Sequence, residues 1–269
     1  QTPSSPGFVL ADQAPSSVNR PRNPGGLVAS FLSLNNGGSL EASPFWLLPL
    51  KNRKALTFSK YVHNNFPVVQ TFSISATSVI SDTASYMSVG SKFHILRFYK
   101  KDQIQKLEND LITELTPKKD AAGNFLPLDL VKIEQLQNEL NQISPKILVE
   151  VAGAWLSYSP ENSFDRFRQA RNGIWANALY KPISALSIVG LTRYINNKKH
   201  ENFSEKAEFL DFGISLGYEN GINFSISGEF VHRRDLIVEE NLSRLALVGN
   251  YKLSDELYIT GSFGKNFDQ

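Results

Sequence analysis

Four histidines offer the first chance of acid–base or metal chemistry in this chain of 269 residues. A hydrolase would need one of them beside a serine or an acid, and a metal centre would need two or three at ligand spacing. His63, His94, His200 and His232 are scattered, and none sits in a spacing that marks either chemistry. His232 has charged neighbours in Arg233, Arg234 and Asp235, but a histidine beside a charged loop is usually just solvated. Cysteine is absent, which removes thiol catalysis, zinc–thiolate sites and disulfides together. The glycines are dispersed, with no loop that would cradle a phosphate. These residues predict no catalytic group, no metal and no cofactor.

The acids and bases that fall in mid-strand say more. Glu41, Glu150, Asp211 and Glu229 stand against Lys92, Arg171, Arg193 and Arg244, and strand alternation puts all eight on one face. Enclosed inside a barrel, such a set either pairs and fills the bore or lines a wet constriction with both signs. Equal numbers of acids and bases favour pairing, because an unpaired buried charge is expensive.

The elements that carry these charges are read from period-2 patterns. In FLDFGISLGYENGINFSISGEFVH, residues 209–232, apolar side chains occupy alternate positions on both sides of a turn at Glu219-Asn220-Gly221. That is an amphipathic β-hairpin. Eleven strand-like runs follow one another from Leu27: 27–34, 39–49, 67–78, 87–99, 146–158, 171–181, 184–195, 207–218, 222–232, 242–253 and 256–266. Most are long enough to cross a bilayer when tilted. One face collects Leu40, Trp46, Ile74, Val149, Trp155, Ile174, Phe212, Ile214, Leu216, Phe224, Ile226, Leu245 and Phe263. The other collects the eight charges with Ser73, Ser75, Thr77, His94, Asn177 and Asn250.

Two segments depart from this pattern. Residues 1–26 hold five of the thirteen prolines and predict an extended leader, periplasmic or plug-like, ahead of a barrel over 27–269. Residues 101–144 carry Ile104, Leu107, Leu111 and Leu115, then Ile133, Leu136, Leu140 and Ile143, spaced by three and four. This predicts a helical hairpin between the fourth and fifth strands, capped by Asp102 and Asp129 and stopped by Pro145. Its stripe either zips the two helices together or offers a docking surface through Leu107, Leu111, Leu136 and Leu140.

An apolar face can point into a soluble core or out to lipid, and the rest of the chain decides between them. No window holds 18 consecutive apolar residues, so no transmembrane helix is expected, but barrel strands never give that signal. The expected connections alternate between tight turns (181–183, 219–221, 254–255) and longer polar loops (159–170, 196–206, 233–241). Outer-membrane barrels show this habit, with the tight turns in the periplasm. Aromatics such as Trp46, Tyr99, Tyr158, Tyr180, Tyr218 and Tyr251 gather toward strand ends, as interface girdles do. The start at Gln1 fits a mature secreted chain, and the missing cysteine fits an oxidising envelope compartment. Eleven strands is odd where bacterial barrels are even, which predicts a twelfth, beyond Gln269 or in a misjudged run.

The stretches SLEASPFWLLPL, VEVAGAWLSYSP, GIWANALYKP and SIVGLTRYINN resemble outer-membrane β-barrel proteins of Bacteroidota-type bacteria. The resemblance implies fold and location, transfers no site residues, and extends to barrels that are accessory subunits of secretion, assembly or uptake machines. The expected fold is therefore an antiparallel up-and-down transmembrane barrel of about twelve strands with an inserted helical hairpin. The expected partners are outer-membrane lipids and other envelope proteins. A formal charge of +2 and the lack of any nucleic-acid-binding motif argue against nucleic acid. A non-catalytic accessory subunit is the first functional expectation, a small-solute porin the alternative, and an outer-membrane lipid hydrolase or protease using His232 a distant third.

Overall fold

The computed structural model describes residues 38–47, 58–80, 84–117, 124–125, 127–160, 166–198, 206–220, 224–252 and 258–265. Ten strands occur among them: β1 (Gly38–Ala42), β2 (Ser73–Ile80), β3 (Ala84–Phe98), β4 (Ile147–Pro160), β5 (Arg168–Ile183), β6 (Leu186–Asn197), β7 (Ala207–Asn220), β8 (Phe224–Asp235), β9 (Asn241–Lys252) and β10 (Tyr258–Lys265). Each pairs antiparallel with the next in a single ten-stranded meander. Among the described residues no ladder joins β1 to β10, so the sheet is open and is not closed into a barrel. The expected first run, 27–34, and the leader, 1–26, lie outside the described residues, as do Leu48 and His200.

The runs expected at 39–49 and 67–78 are only partly strand. After β1 the chain forms short helices α1 (Pro44–Leu47), α2 (Phe58–His63) and α3 (Val68–Thr71). Proline is the cause in two of these. Pro44 cannot donate to a ladder and starts a helical turn in which the amides of Trp46 and Leu47 reach the Ser43 carbonyl. Pro67 likewise closes a turn onto the Thr71 amide at 2.9 Å. Trp46 therefore leaves the strand face, and its indole N–H donates to the Gln70 carbonyl at 3.0 Å. Strands β4, β5, β7 and β8 are longer than expected, so that Asn220 still pairs with Phe224 and the β7–β8 connection is 221–223.

Helices α4 (Lys101–Leu115) and α5 (Leu130–Gln142) lie between β3 and β4. Asp129 caps α5 by accepting from the Lys132 amide at 3.0 Å. Asp102 instead falls inside the first turn of α4, where Lys100 holds the cap position without a side-chain bond. The apolar stripe zips the pair: Leu107, Leu136 and Leu140 form one buried cluster with Leu111 and Ile143 against it. Each leucine buried this way contributes about 1.5–3 kcal/mol. Lys132 Nζ closes the pair with an ion pair of 2.6 Å to Glu114.

Connections 184–185, 221–223 and 253–257 share one end of the sheet with α4–α5 and with residues 43–72. At the other end lie 161–167, 198–206 and 236–240, together with a connection at 81–83 that is also short. The alternation of loop lengths holds from β4 to β8 and fails at β2–β3 and after β8, where 236–240 and 253–257 are equally long.

Candidate functional site

Register fixes what shares a face. Straight across the ladders one row runs Ser73, Lys92, Ala152, Trp175, Arg193, Asp211 and Arg233. Around that row the usual order of burial is inverted. On this polar face Asp211 is 0% exposed, and Glu41, Glu150, Ser73, Ser75, Thr77, Ser88 and Asn177 are buried with it. On the opposite face Trp155 is 52% exposed, Ile174 56% and Phe212 50%, with Ile214, Leu216, Phe224, Phe230, Leu245, Leu247 and Phe263 also exposed. Ile226 shares that face through its pairing with Tyr218. Toward the β1–β2 edge two apolar members of this face, Leu40 and Ala76, are buried.

The centre of the polar face is a three-strand clamp on Asp211. Arg193 holds Oδ2 through Nε at 2.9 Å and Nη2 at 2.6 Å. From the other side Arg233 donates Nε to Oδ1 at 2.8 Å and Nη2 to Oδ2 at 3.1 Å. The Arg233 guanidinium also lies 4.5 Å from the Phe209 ring centroid. Two planar donors on one carboxylate satisfy it fully.

The remaining charges pair locally. Lys92 meets Glu41 at 2.8 Å, and Ser73 Oγ donates to the same carboxylate oxygen at 3.3 Å. Glu150 meets His94 at 3.3 Å, and Arg171 Nε donates to Asn197 at 2.8 Å. Glu229 lies opposite Ser215 and Ala246, while Arg244 is exposed opposite Val231. The eight charges thus share a face; Arg193 and Asp211 pair between adjacent strands, whereas Lys92 of β3 reaches Glu41 of β1 across β2.

Several residues of this face were not singled out from sequence. Trp175, 2% exposed, and Leu156 pack with Ala152, Tyr158 and Ala170 into an apolar cluster over β4 and β5. Arg97 joins the buried set because a bulge between His94 and Leu96 shifts the alternation by one residue. Its Nη2 donates to the Tyr61 carbonyl at 2.7 Å, and its guanidinium sits 4.1 Å from the Tyr61 ring centroid. That contact ties α2 to the foot of β3.

Hydrolase geometry does not assemble around His232. It belongs to the apolar face opposite Phe212, where Nδ1 lies 3.4 Å from Ser243 Oγ. The letters of a nucleophile elbow do occur in Gly213-Ile214-Ser215-Leu216-Gly217, but they lie in the middle of β7. An elbow needs a sharp strand-to-helix turn, and here Ser215 is held in a flat ladder between Val189 and Glu229. Among the described residues no group of three or more acids and histidines could hold a metal ion.

The leucines that could have formed a docking face, Leu107, Leu111, Leu136 and Leu140, turn toward one another within the helical hairpin. Its exposed apolar residues are instead Ile112, Leu115, Phe125, Leu128, Leu130 and Val131, around the far end of the pair.

A cavity of about 760 Å³ opens on the polar face over β5–β9. Arg193, Asn177 and Glu229 contribute to its wall, with Val189, Leu191, Val231 and Val248 between them. On the apolar face a shallower groove of about 600 Å³ runs past Ile74, Val89, Trp155 and Ile174. No protein-family model matches the chain, and a search of curated proteins finds no match.

Proposed function

We propose that the chain is an integral outer-membrane β-barrel protein acting as a non-catalytic subunit of an envelope complex. The observation that carries this reading is the inverted sheet, with Asp211 and Glu150 buried on one face and Phe212, Ile214, Leu216 and Trp155 exposed on the other. Water disfavours so continuous an exposed apolar surface, whereas lipid accepts it. On this reading the polar face lines a lumen that is braced by the Asp211 clamp and partly filled by Trp175 and Leu156. The sheet on this reading closes into about twelve strands, which removes both sheet edges. The likeness to Bacteroidota-type barrels agrees with it. The helical hairpin, at the end that carries the tight turns, reaches into the periplasm, and its exposed Ile112, Leu115, Leu130 and Val131 favour contact with another protein.

Membrane extraction with and without the hairpin tests both parts. The chain should resist alkaline carbonate, require detergent for release, and leave the membrane with companion proteins. Replacing 101–144 with a short Gly-Ser turn should keep it in the membrane and lose the companions. Carbonate release of the intact chain would sink the membrane reading, and companions retained without the hairpin would sink the subunit reading.

The cavity beside Arg193 favours a second reading, a small-solute channel. Planar bilayers separate the two, because steady conductance argues for a channel and silence for a filled bore.

A further inference from the structure

We propose that the groove on the apolar face over β3–β5 seats one acyl chain of an anionic, phosphate-bearing membrane lipid whose headgroup is held by Lys198 and Lys206. The site rests on the lipid-facing reading of this face and adds to it a preference for one class of lipid. Register builds the groove. Ser91, Gly153 and Ile174 pair straight across β3, β4 and β5, so the floor of this row carries only a hydroxymethyl group and a hydrogen. Val89 and Trp155 stand in the next outward row, and Ile74 and Ile174 flank the floor on either side. The floor is open as well as small, since a Cβ added at Gly153 would meet its nearest neighbour, the Gly173 carbonyl oxygen, at 3.5 Å. The resulting volume of about 600 Å³ falls within the range of small-molecule sites.

The β6 side of the groove leads to a positively charged border. Tyr194 lines the groove there, and beyond it the outward positions turn polar. Asn196 pairs with Glu208 across β6 and β7, and Lys198 and Lys206 follow in the same parity at the end that carries 161–167 and 236–240. Glu208 is already held: Lys206 Nζ lies 3.0 Å from Oε1, Asn196 Nδ2 donates to Oε1 at 3.1 Å, and the Tyr194 hydroxyl donates to Oε2 at 3.4 Å. Among the described residues Lys198 is exposed and makes no ion pair, so two lysines meet one carboxylate. Arg234, exposed opposite Leu210, adds a further cation to the border. Lys198 lies four residues beyond Tyr194, about 13 Å along the strand at 3.3 Å per residue, which leaves room for a glycerol backbone and its phosphate. Lipid tails are as apolar as the groove, so seating a chain gains packing and no hydrophobic burial. Choice among lipids therefore falls to charge, and one basic residue at a membrane surface favours an anionic headgroup about fivefold.

Fluorescence quenching in vesicles tests this, because Trp155 lines the groove. The full-length protein is placed in equal parts of phosphatidylglycerol and phosphatidylcholine with bromine on the chains of one or the other, and the quenching that Trp155→Phe removes is compared. Phosphatidylglycerol should be preferred about fivefold. Lys198→Gln together with Lys206→Gln should abolish most of that preference, and Gly153→Leu should fill the groove and at least halve it. Soluble glycerol phosphate should not compete. Quenching by neither lipid overturns the site and the membrane reading together, whereas equal quenching by both overturns the site alone. A preference unchanged by the lysine pair or by Gly153→Leu also overturns it, and competition by glycerol phosphate would mean a free-anion site instead. Should Gly153→Leu fail to fold, the unaltered protein and the exposed lysine pair still decide.

Discussion

Asp211 shows how a side chain that reads as surface can hold a sheet together. Its carboxylate has no exposure and is held on both sides by guanidiniums from adjacent strands. Truncating it leaves Arg193 and Arg233 facing each other with nothing between them. Removing one member of a buried ion cluster costs about 3–5 kcal/mol, whereas replacing the whole set with well-packed apolar groups is often neutral. Asp211→Ala should therefore lower unfolding stability by about 3–5 kcal/mol. Adding Arg193→Met and Arg233→Met should recover most of it, as read by urea titration of tryptophan fluorescence in lipid vesicles. Alternation alone identified Asp211 and Arg193 as sharing a face, because β6 and β7 run without interruption. Arg233 stands near the end of β8, where the expected strand stopped at 232, and its polar run read as loop. Arg97 was hidden for a different reason: one extra residue in β3 reverses every later side chain, and no sequence period marks a bulge.

At the scale of elements, the helical hairpin was the most legible and the proline-flanked runs the least. Spacing by three and four over two stretches has one stable solution, a pair of helices that bury their stripes together. Residues 44–47 and 68–71 carry apolar runs that suit a strand or a helix equally, and the preceding or initial proline tips both toward a helical turn. Because Leu107, Leu136 and Leu140 pack together within the hairpin cluster, their loss should be felt there first. Leu136→Ala should cost about 2–5 kcal/mol of hairpin stability and speed amide exchange in α4 and α5, while the β4–β9 ladders keep their protection. The ion pair across the hairpin adds a pH signature. The hydrogen bond from Lys132 to Glu114 is the main reason that its pKa is raised above the ordinary lysine value, with the Glu114 charge second. A raised value means that the folded hairpin holds the proton more tightly than the unfolded chain. Its stabilising contribution is thus complete below the ordinary lysine range and fades as pH climbs through the raised value. Lys132→Met should flatten that alkaline loss, followed by helical circular dichroism, and should lower stability at neutral pH by the same small amount, Lys132 being half exposed.

For the whole molecule, the question is what medium touches Phe212, Ile214 and Leu216, and depth can answer it. Which side chains share a face was readable from period-2 alternation, since every ladder from β4 to β9 is antiparallel and in sequence order. Strand number and closure were not, because both depend on pairing between distant ends of the chain, which leaves no local period. A soluble sheet and a lipid-facing one predict opposite responses to charge. In water, arginine at a position that is already half exposed is a surface substitution and changes stability by about 0.5 kcal/mol or less. In a bilayer the same arginine costs about 2–4 kcal/mol at the midplane and about 0–1 near an interface. Ile214 is near the middle of β7 and Phe224 opens β8 beside the turn, and both are exposed on the apolar face. Ile214→Arg should therefore cost about 2–4 kcal/mol in vesicles and Phe224→Arg about 0–1. Val231, on the polar face between Gly213 and Arg244, is the matching control, because its environment does not change with the surrounding medium. Val231→Thr should give the same stability change in vesicles as in detergent. Equal and small costs at Ile214 and Phe224 would mean that water wets the apolar face, and the barrel reading would fall with that result.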